Sequence, residues 1–274
     1  VRAGTLLRAP ALLYGATATA AVAAVAVAGD GTAATYAVAL VAFWWLAPAL
    51  AVVPVAVAAR AWGVLASVLV PALAAGALLG PYALPGRGGG AADLRVATFN
   101  TSGTRGLEGL RLLVDEHRPD VLLLQEVDAR SREFLRRRHP RYAHRWYGGE
   151  SGLGDGAVWS TLPIVSVTPV PGLPAGARPA AVVVLDASAR GGPRALPVLS
   201  LHLASPCLGC TPWSREANPA GGTAQAARTR VAEARRYARL ARELGARGPV
   251  VVGGDLNSSD LNEPLRVLTG DGPA

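Results

Sequence analysis

The sequence predicts a layered α/β domain with mixed sheets, preceded by an N-terminal bundle of three membrane-spanning helices. Three observations carry this reading. Charge is nearly absent early in the chain: between Arg8 and Arg60 the only charged residue is Asp30, and between Arg60 and Arg87 there is none. From Asp93 onward, short apolar segments alternate with amphipathic ones. Several of those short segments end in a polar side chain, which a strand delivers to the edge of its sheet. The 274 residues have room for one sizeable domain or two small ones.

The apolar runs are Pro10–Ala28, Ala33–Val57 and Ala61–Leu79. Each is close to the ~20 residues that cross a hydrocarbon core. A cleaved signal peptide does not explain them, because two further apolar runs follow the first. A soluble bundle does not either, because its helices would carry a polar face. Gly29-Asp30-Gly31-Thr32 reads as a turn. Asp30 at mid-bilayer would cost about 2.5–3.5 kcal/mol, so it belongs in a loop. Pro48 and Pro54 are expected to kink the second span. Arg2 and Arg8 favour a cytoplasmic N-terminus, the first loop has no basic residue, and Arg60 marks an inner loop. Three crossings then put everything after Leu79 outside the cytoplasm, making a multi-pass protein of the cell membrane. The expected organisation is a transmembrane region over 1–80, a Gly-rich tether over 81–92 and a catalytic domain over 93–274.

Within that domain, Leu94–Phe99 is strand-like and Leu107–His117 is an amphipathic helix ended by Arg118-Pro119. Val121–Val127 reads as a buried strand and Ala129–Arg138 as a helix. Strands follow at Ala157–Ser160, Ile164–Val170, Ala180–Leu185 and Pro197–Leu203. Thr223–Leu244 is a long helix with Ala227, Val231, Ala234 and Ala238 on one stripe. Val250–Val252 is a last strand, stopping at Gly253-Gly254.

Four motifs place polar groups at strand ends. They are Val96-Ala-Thr-Phe-Asn100, Pro119-Asp-Val-Leu-Leu-Leu-Gln-Glu126, Leu199-Ser-Leu-His202-Leu203 and Gly253-Gly-Asp255-Leu-Asn257. Taken singly, Asn100 also fits a turn former, Glu126 a surface carboxylate at a strand exit, and His202 a satisfied structural histidine. A carboxylate ending a run of leucines is costly unless it is paired or metal-bound. Period-two alternation puts Asp255 and Asn257 on one face, where a carboxylate and an amide can hold a metal, a water and a phosphate oxygen.

Together, in this order, the motifs resemble the endonuclease/exonuclease/phosphatase superfamily, and Gly156-Ala-Val-Trp-Ser160-Thr-Leu-Pro163-Ile resembles that family's middle strand pair. The resemblance runs from Leu94 to Asp271. It implies a two-sheet α/β sandwich and a divalent metal, magnesium or manganese. By position, Glu126 would be the main metal ligand, with Asn100 beside it as ligand or orienter. His202 would bond the phosphoryl group or assist the leaving group. Asp255 would orient or deprotonate the attacking water, and Asn257 would hold a phosphate oxygen. The Asp-His segment that closes the family's pattern has no counterpart after Asn257. The stretch is therefore expected to be incomplete at its C-terminus and inactive or nearly so, since losing a general base costs about 10²–10⁴ in rate.

The membrane-anchored, Arg-only character resembles the teicoplanin-resistance branch of the superfamily. This implies hydrolysis of a lipid pyrophosphate such as undecaprenyl pyrophosphate, with the lipid bilayer as partner. A nuclease or phospholipid phosphodiesterase with the same site, and an inactive membrane-anchored binding module, are the alternatives. The formal net charge is +8, yet all 27 basic residues are Arg. In so Ala- and Gly-rich a chain this reflects codon bias, so nucleic acid is not the favoured partner. Oligomeric state is left open. Cys207-Leu-Gly-Cys210 lies in a Pro/Gly-rich loop and lacks the second pair a zinc site needs, so a small disulfide is expected. Seven arginines crowd Arg130–Arg145, as a solvated helix face or an anionic-lipid contact.

Overall fold

The computed structural model describes residues 8–83, 94–148, 156–206 and 222–270. The cysteine loop, Trp213, Asp271 and most of the Gly-rich tether lie outside the described residues. The chain divides into two compact units: Val1–Gly88 with Ser258–Arg266, and Gly89–Asn257 with Val267–Ala274.

The helical unit contains α1 (Arg8–Ala28), α2 (Ala33–Leu40), α3 (Ala42–Ala58) and α4 (Trp62–Ala83). Helices α1 and α4 are each long and apolar enough to cross a membrane, and α2 with α3 would make a third span if the pair, bent by 56°, counts as one. Large apolar side chains such as Leu13, Val27, Trp44 and Leu73 remain exposed on these helices, as lipid-facing residues would. The bend falls at Val41, whereas Pro48 and Pro54 lie inside the continuous helix α3. Val41 leaves the helical region (φ −102°, ψ 22°), and the Trp45 indole donates to the Val38 carbonyl at 2.8 Å, satisfying a group next to the break. Gly15 lets α1 and α4 approach, because a Cβ there would collide with Ser67.

Asp30 lies in the turn expected of it, but it is only 2% exposed. Asn262 Nδ2 donates to its Oδ1 at 2.8 Å. In the same unit Ser259 Oγ donates to the Ala39 carbonyl at 2.6 Å, and the Tyr82 hydroxyl donates to Asp260 Oδ2 at 2.6 Å. The Ser258–Arg266 segment is therefore stitched to the Gly29–Thr32 turn, to α2 and to the C-terminal end of α4.

The second unit contains two four-stranded sheets. The first has the order β1-β2-β4-β3, from β1 (Val96–Asn100), β2 (Val121–Gln125), β3 (His144–Tyr147) and β4 (Ala157–Ser160). The second has the order β5-β6-β7-β8, from β5 (Ile164–Pro169), β6 (Ala181–Leu185), β7 (Leu196–His202) and β8 (Val251–Asp255). β1 pairs parallel with β2 and β7 pairs parallel with β8, while the other pairs are antiparallel. Helices α5 (Leu107–His117) and α6 (Ala129–Arg138) cover the first sheet through Leu110, Val114 and Leu135 on Leu122, Leu124 and Trp159. Helix α7 (Thr223–Gly245) covers the second through Ala234, Tyr237 and Ala238 on Leu199 and Leu201. Val121, Leu123, Val158, Val183, Leu185 and Val198 fill the space between the sheets. At about 1.5–3 kcal/mol per buried large aliphatic side chain, these layers dominate the unit's stability. This is the two-sheet α/β sandwich the motifs imply. A short α8 (Glu263–Thr269) follows β8.

Two elements differ from expectation. β3, with the sequence His-Arg-Trp-Tyr, is an added edge strand paired to β4. β8 does not stop at Gly253-Gly254 but runs through them to Asp255. Gly254 sits at φ +148°, and a Cβ there would overlap the Leu201 backbone on β7. The glycine permits the close approach that carries the strand on to Asp255.

Candidate active site

Period-two alternation fixes which side chains enter the space between the sheets. On β1 and β2, Ala97, Phe99, Leu122 and Leu124 pack toward the helices. The opposite face therefore carries Thr98, Asn100 and Gln125. On β7 and β8, Leu199 and Leu201 pack toward α7, leaving Ser200, His202 and Asp255 on the inner face. The two parallel pairs end together in register: Asn100 opposite Gln125, and His202 opposite Asp255. Both pairs thus deliver polar residues from the C-terminal ends of their strands.

The polar groups meet there. Asn100 Nδ2 donates to Asp255 Oδ2 at 2.7 Å and to Glu126 Oε1 at 3.2 Å. Its own Oδ1 accepts the Ser102 N–H at 2.8 Å. His202 Nε2 lies 3.7 Å from Glu126 Oε1 and 3.9 Å from Asp255 Oδ2. The imidazole is buried, and among the described residues neither ring nitrogen has a hydrogen-bond partner. Burial, reinforced by Arg178 and opposed by Asp255, pushes its pKa down to about 4, so the ring is neutral at physiological pH.

Glu126 adopts φ +53°, an uncommon conformation for a non-glycine residue. It is held there through its carbonyl, which accepts the Thr101 hydroxyl at 2.5 Å and the Gly103 N–H at 3.1 Å. Such strain costs on the order of 1–3 kcal/mol and persists where surrounding contacts over-determine it. Asn257, at φ +49°, donates its backbone N–H to Asp255 Oδ1 at 2.8 Å and its Nδ2 to the Leu203 carbonyl at 2.9 Å. Its amide braces the ends of β7 and β8.

Four of the five expected residues, Asn100, Glu126, His202 and Asp255, therefore form one cluster, with Asn257 at its margin. Among the described residues no group of three or more His, Cys, Asp or Glu side chains forms a ready metal cage. The sequence reading missed the residues that hold this corner from behind. Glu233 Oε2 accepts the Ala204 N–H at 2.8 Å, and Arg230 Nη1 donates to the Ala204 carbonyl at 2.5 Å. Arg178 Nη1 donates to the Leu203 carbonyl at 3.1 Å. Arg230 and Glu233 are fully buried on α7. Burial raises the Glu233 pKa to about 7, against the pull of the Ala204 N–H and of Arg178 and Arg230. The only signal in the sequence was their position beside the alanine stripe.

No curated protein matches the sequence. Among solved structures, TDP2 from C. elegans is 20% identical with a TM-score of 0.44, covering 61% of this chain and 48% of that one. The chain thus spans about half the length of that protein. An endonuclease/exonuclease/phosphatase from Bacteroides vulgatus is 17% identical with a TM-score of 0.48, covering 65% and 70%. D. rerio TDP2, solved with a single-strand DNA product, is 19% identical with a TM-score of 0.46, covering 66% of each chain. The family model for the endonuclease/exonuclease/phosphatase family matches residues 97–273, which takes in both sheets and every strand end of the cluster. On that match, the chain belongs to the endonuclease/exonuclease/phosphatase family.

Proposed function

We propose that this protein is a membrane-anchored, divalent-metal-dependent phosphoester or pyrophosphate hydrolase acting outside the cytoplasm, with a lipid pyrophosphate such as undecaprenyl pyrophosphate as substrate. The observation that carries the proposal is the cluster itself: two carboxylates share one amide donor beside a neutral histidine whose ring nitrogens are buried and unbonded.

The donor chemistry fits a magnesium or manganese ion. Glu126 and Asp255 supply two carboxyl groups as hard oxygen donors, and the neighbouring His202 is neutral. Magnesium binds through one or two carboxylates and keeps several waters, so it needs no closed protein cage. Glu126, with Asn100, would hold the ion, which supplies Lewis-acid polarisation of the phosphoryl group and charge neutralisation. The chain's own residues supply position and proton handling. Asp255 would orient and deprotonate an attacking water. The Asn100 amide fixes both carboxylates relative to each other. His202 offers an N–H to the phosphoryl oxygen or leaving group, and that bond would satisfy a nitrogen now lacking a partner. Asn257 keeps Asp255 in place and is within the same corner for a phosphate oxygen.

The apolar N-terminal helices support a membrane location, and the Arg distribution supports an outward-facing domain. A tethered site meets a lipid substrate at high effective concentration. The test is phosphate release from undecaprenyl pyrophosphate by the protein in detergent, run beside plasmid nicking. Magnesium-dependent release with intact plasmid is the expected result. Nicked plasmid without release would replace the lipid substrate with nucleic acid, and silence in both assays would leave a membrane-anchored binding module.

A further inference from the structure

A second polar cluster lies on the opposite, helix-covered face of the first sheet. Between α6 and the edge strand β3 is a cleft of ≈ 420 Å³, lined by Arg132, Glu133, Arg136, Arg145, Tyr147 and Trp159. Tyr147 and Trp159 pack edge to face, with ring centroids 5.8 Å apart at 85°. Each aromatic face carries a guanidinium. Arg132 lies 4.5 Å from the Tyr147 centroid and Arg145 lies 5.6 Å from that of Trp159. Arg136 pairs with Glu133, which also pairs with Arg137. Three arginines thus face one carboxylate that is already shared.

Arg132 is the decisive residue. Among the described residues, its Nε and Nη2 are buried and have no hydrogen-bond partner. A buried guanidinium N–H without an acceptor costs free energy, which Arg132 would recover by turning a donor, within its stack on Tyr147, to an anion in the cleft. Burial raises the pKa of the Tyr147 hydroxyl, and the nearby charges of Arg145, Arg132 and Arg136 pull it back down. The stacked aromatic rings hold the guanidinium forks in orientation, and a fixed fork matches the oxygens of a phosphate group. Both aromatic faces are already covered by arginine, so the cleft offers charge rather than a stacking platform for a base.

We propose that this cleft is an anion site for a phosphate group, taken from an anionic phospholipid head group or from free phosphate, and separate from the candidate active site. It does not depend on the hydrolase reading, because the two sites lie on opposite faces of the sheet.

The test is isothermal titration of the full chain in non-ionic detergent with chelator present, so that no metal-loaded active site contributes. The titrants are dihexanoyl-phosphatidylglycerol, dihexanoyl-phosphatidylcholine and inorganic phosphate. Saturable binding of phosphatidylglycerol or phosphate, without binding of the zwitterionic lipid, is expected. Arg132→Gln should weaken it by about tenfold or more, as loss of a charge-assisted hydrogen bond does. Glu133→Gln, which frees Arg136 and Arg137, should tighten it, and this gain cannot arise from misfolding. Binding of the lipid alone assigns the site to a membrane head group, and binding of phosphate alone assigns it to a soluble anion. No binding of either, or unchanged affinity in both variants, would overturn the proposal.

Discussion

Asn100 is the hinge of the candidate site because one amide holds both carboxylates. Asn100→Ala should release Asp255 from Glu126 and lower kcat by about 10²-fold, with thermal stability changed by only about 1 kcal/mol. His202→Asn should lower kcat by about 10²–10⁴-fold, the range for a displaced acid–base or phosphoryl-binding group. Steady-state kinetics with a melting curve for each variant separates these effects from unfolding. Glu233 supplies a pH signature in stability. Its folded pKa, about 7, lies above the ordinary value, so the folded state retains a proton that the unfolded chain has released. Stability should therefore fall as pH rises from about 4.5 to about 7, by roughly 3 kcal/mol, and then level off. Glu233→Gln should flatten that slope in pH-dependent denaturant melts. The sequence alone shows why Asn100, Glu126, His202 and Asp255 stood out: each ends an apolar strand. It does not expose Arg230 and Glu233, because charged residues on a helix ordinarily face solvent, and only the position of Ala204 makes burial tolerable.

At the level of the element, hydrophobic period was informative wherever one pattern dominated. Leu107–His117 and Ala129–Arg138 are helices at the bounds their composition suggests. β3 was missed because His-Arg-Trp-Tyr lacks an apolar run, and its pairing with β4 comes from tertiary contact. The bend between α2 and α3 at Val41 had no sign in the sequence, because no Pro or Gly marks that position. β8 outruns its expected end because Gly254 needs no side-chain room against Leu201. Gly254→Val should therefore be strongly destabilising, by more than about 3 kcal/mol, or should prevent folding. Far-UV circular dichroism and a denaturant melt of the variant check this. Survival of the variant with native stability would mean that β8 does not approach β7 as described.

For the whole molecule, the two compact units differ in what was legible. The apolar helices announce themselves by length and composition, and the sandwich by the order of its motifs. The attachment of Ser258–Arg266 to the helical unit is different, since Asn262 and Asp30 lie 232 residues apart and neither belongs to a local pattern. Asn262→Ala should remove that buried donor and lower the melting stability of the helical unit by about 1–3 kcal/mol, measured in detergent. The central claim is that Asn100, Glu126, His202 and Asp255 form a metal-dependent phosphoester-hydrolysing site. Its most direct test is hydrolysis of bis(p-nitrophenyl) phosphate by the protein and by Glu126→Ala, with chelator and after magnesium is restored. Hydrolysis that chelator abolishes, that magnesium restores, and that falls by at least about 10²-fold in the variant is expected. Hydrolysis indifferent to both the metal and Glu126 would contradict the account.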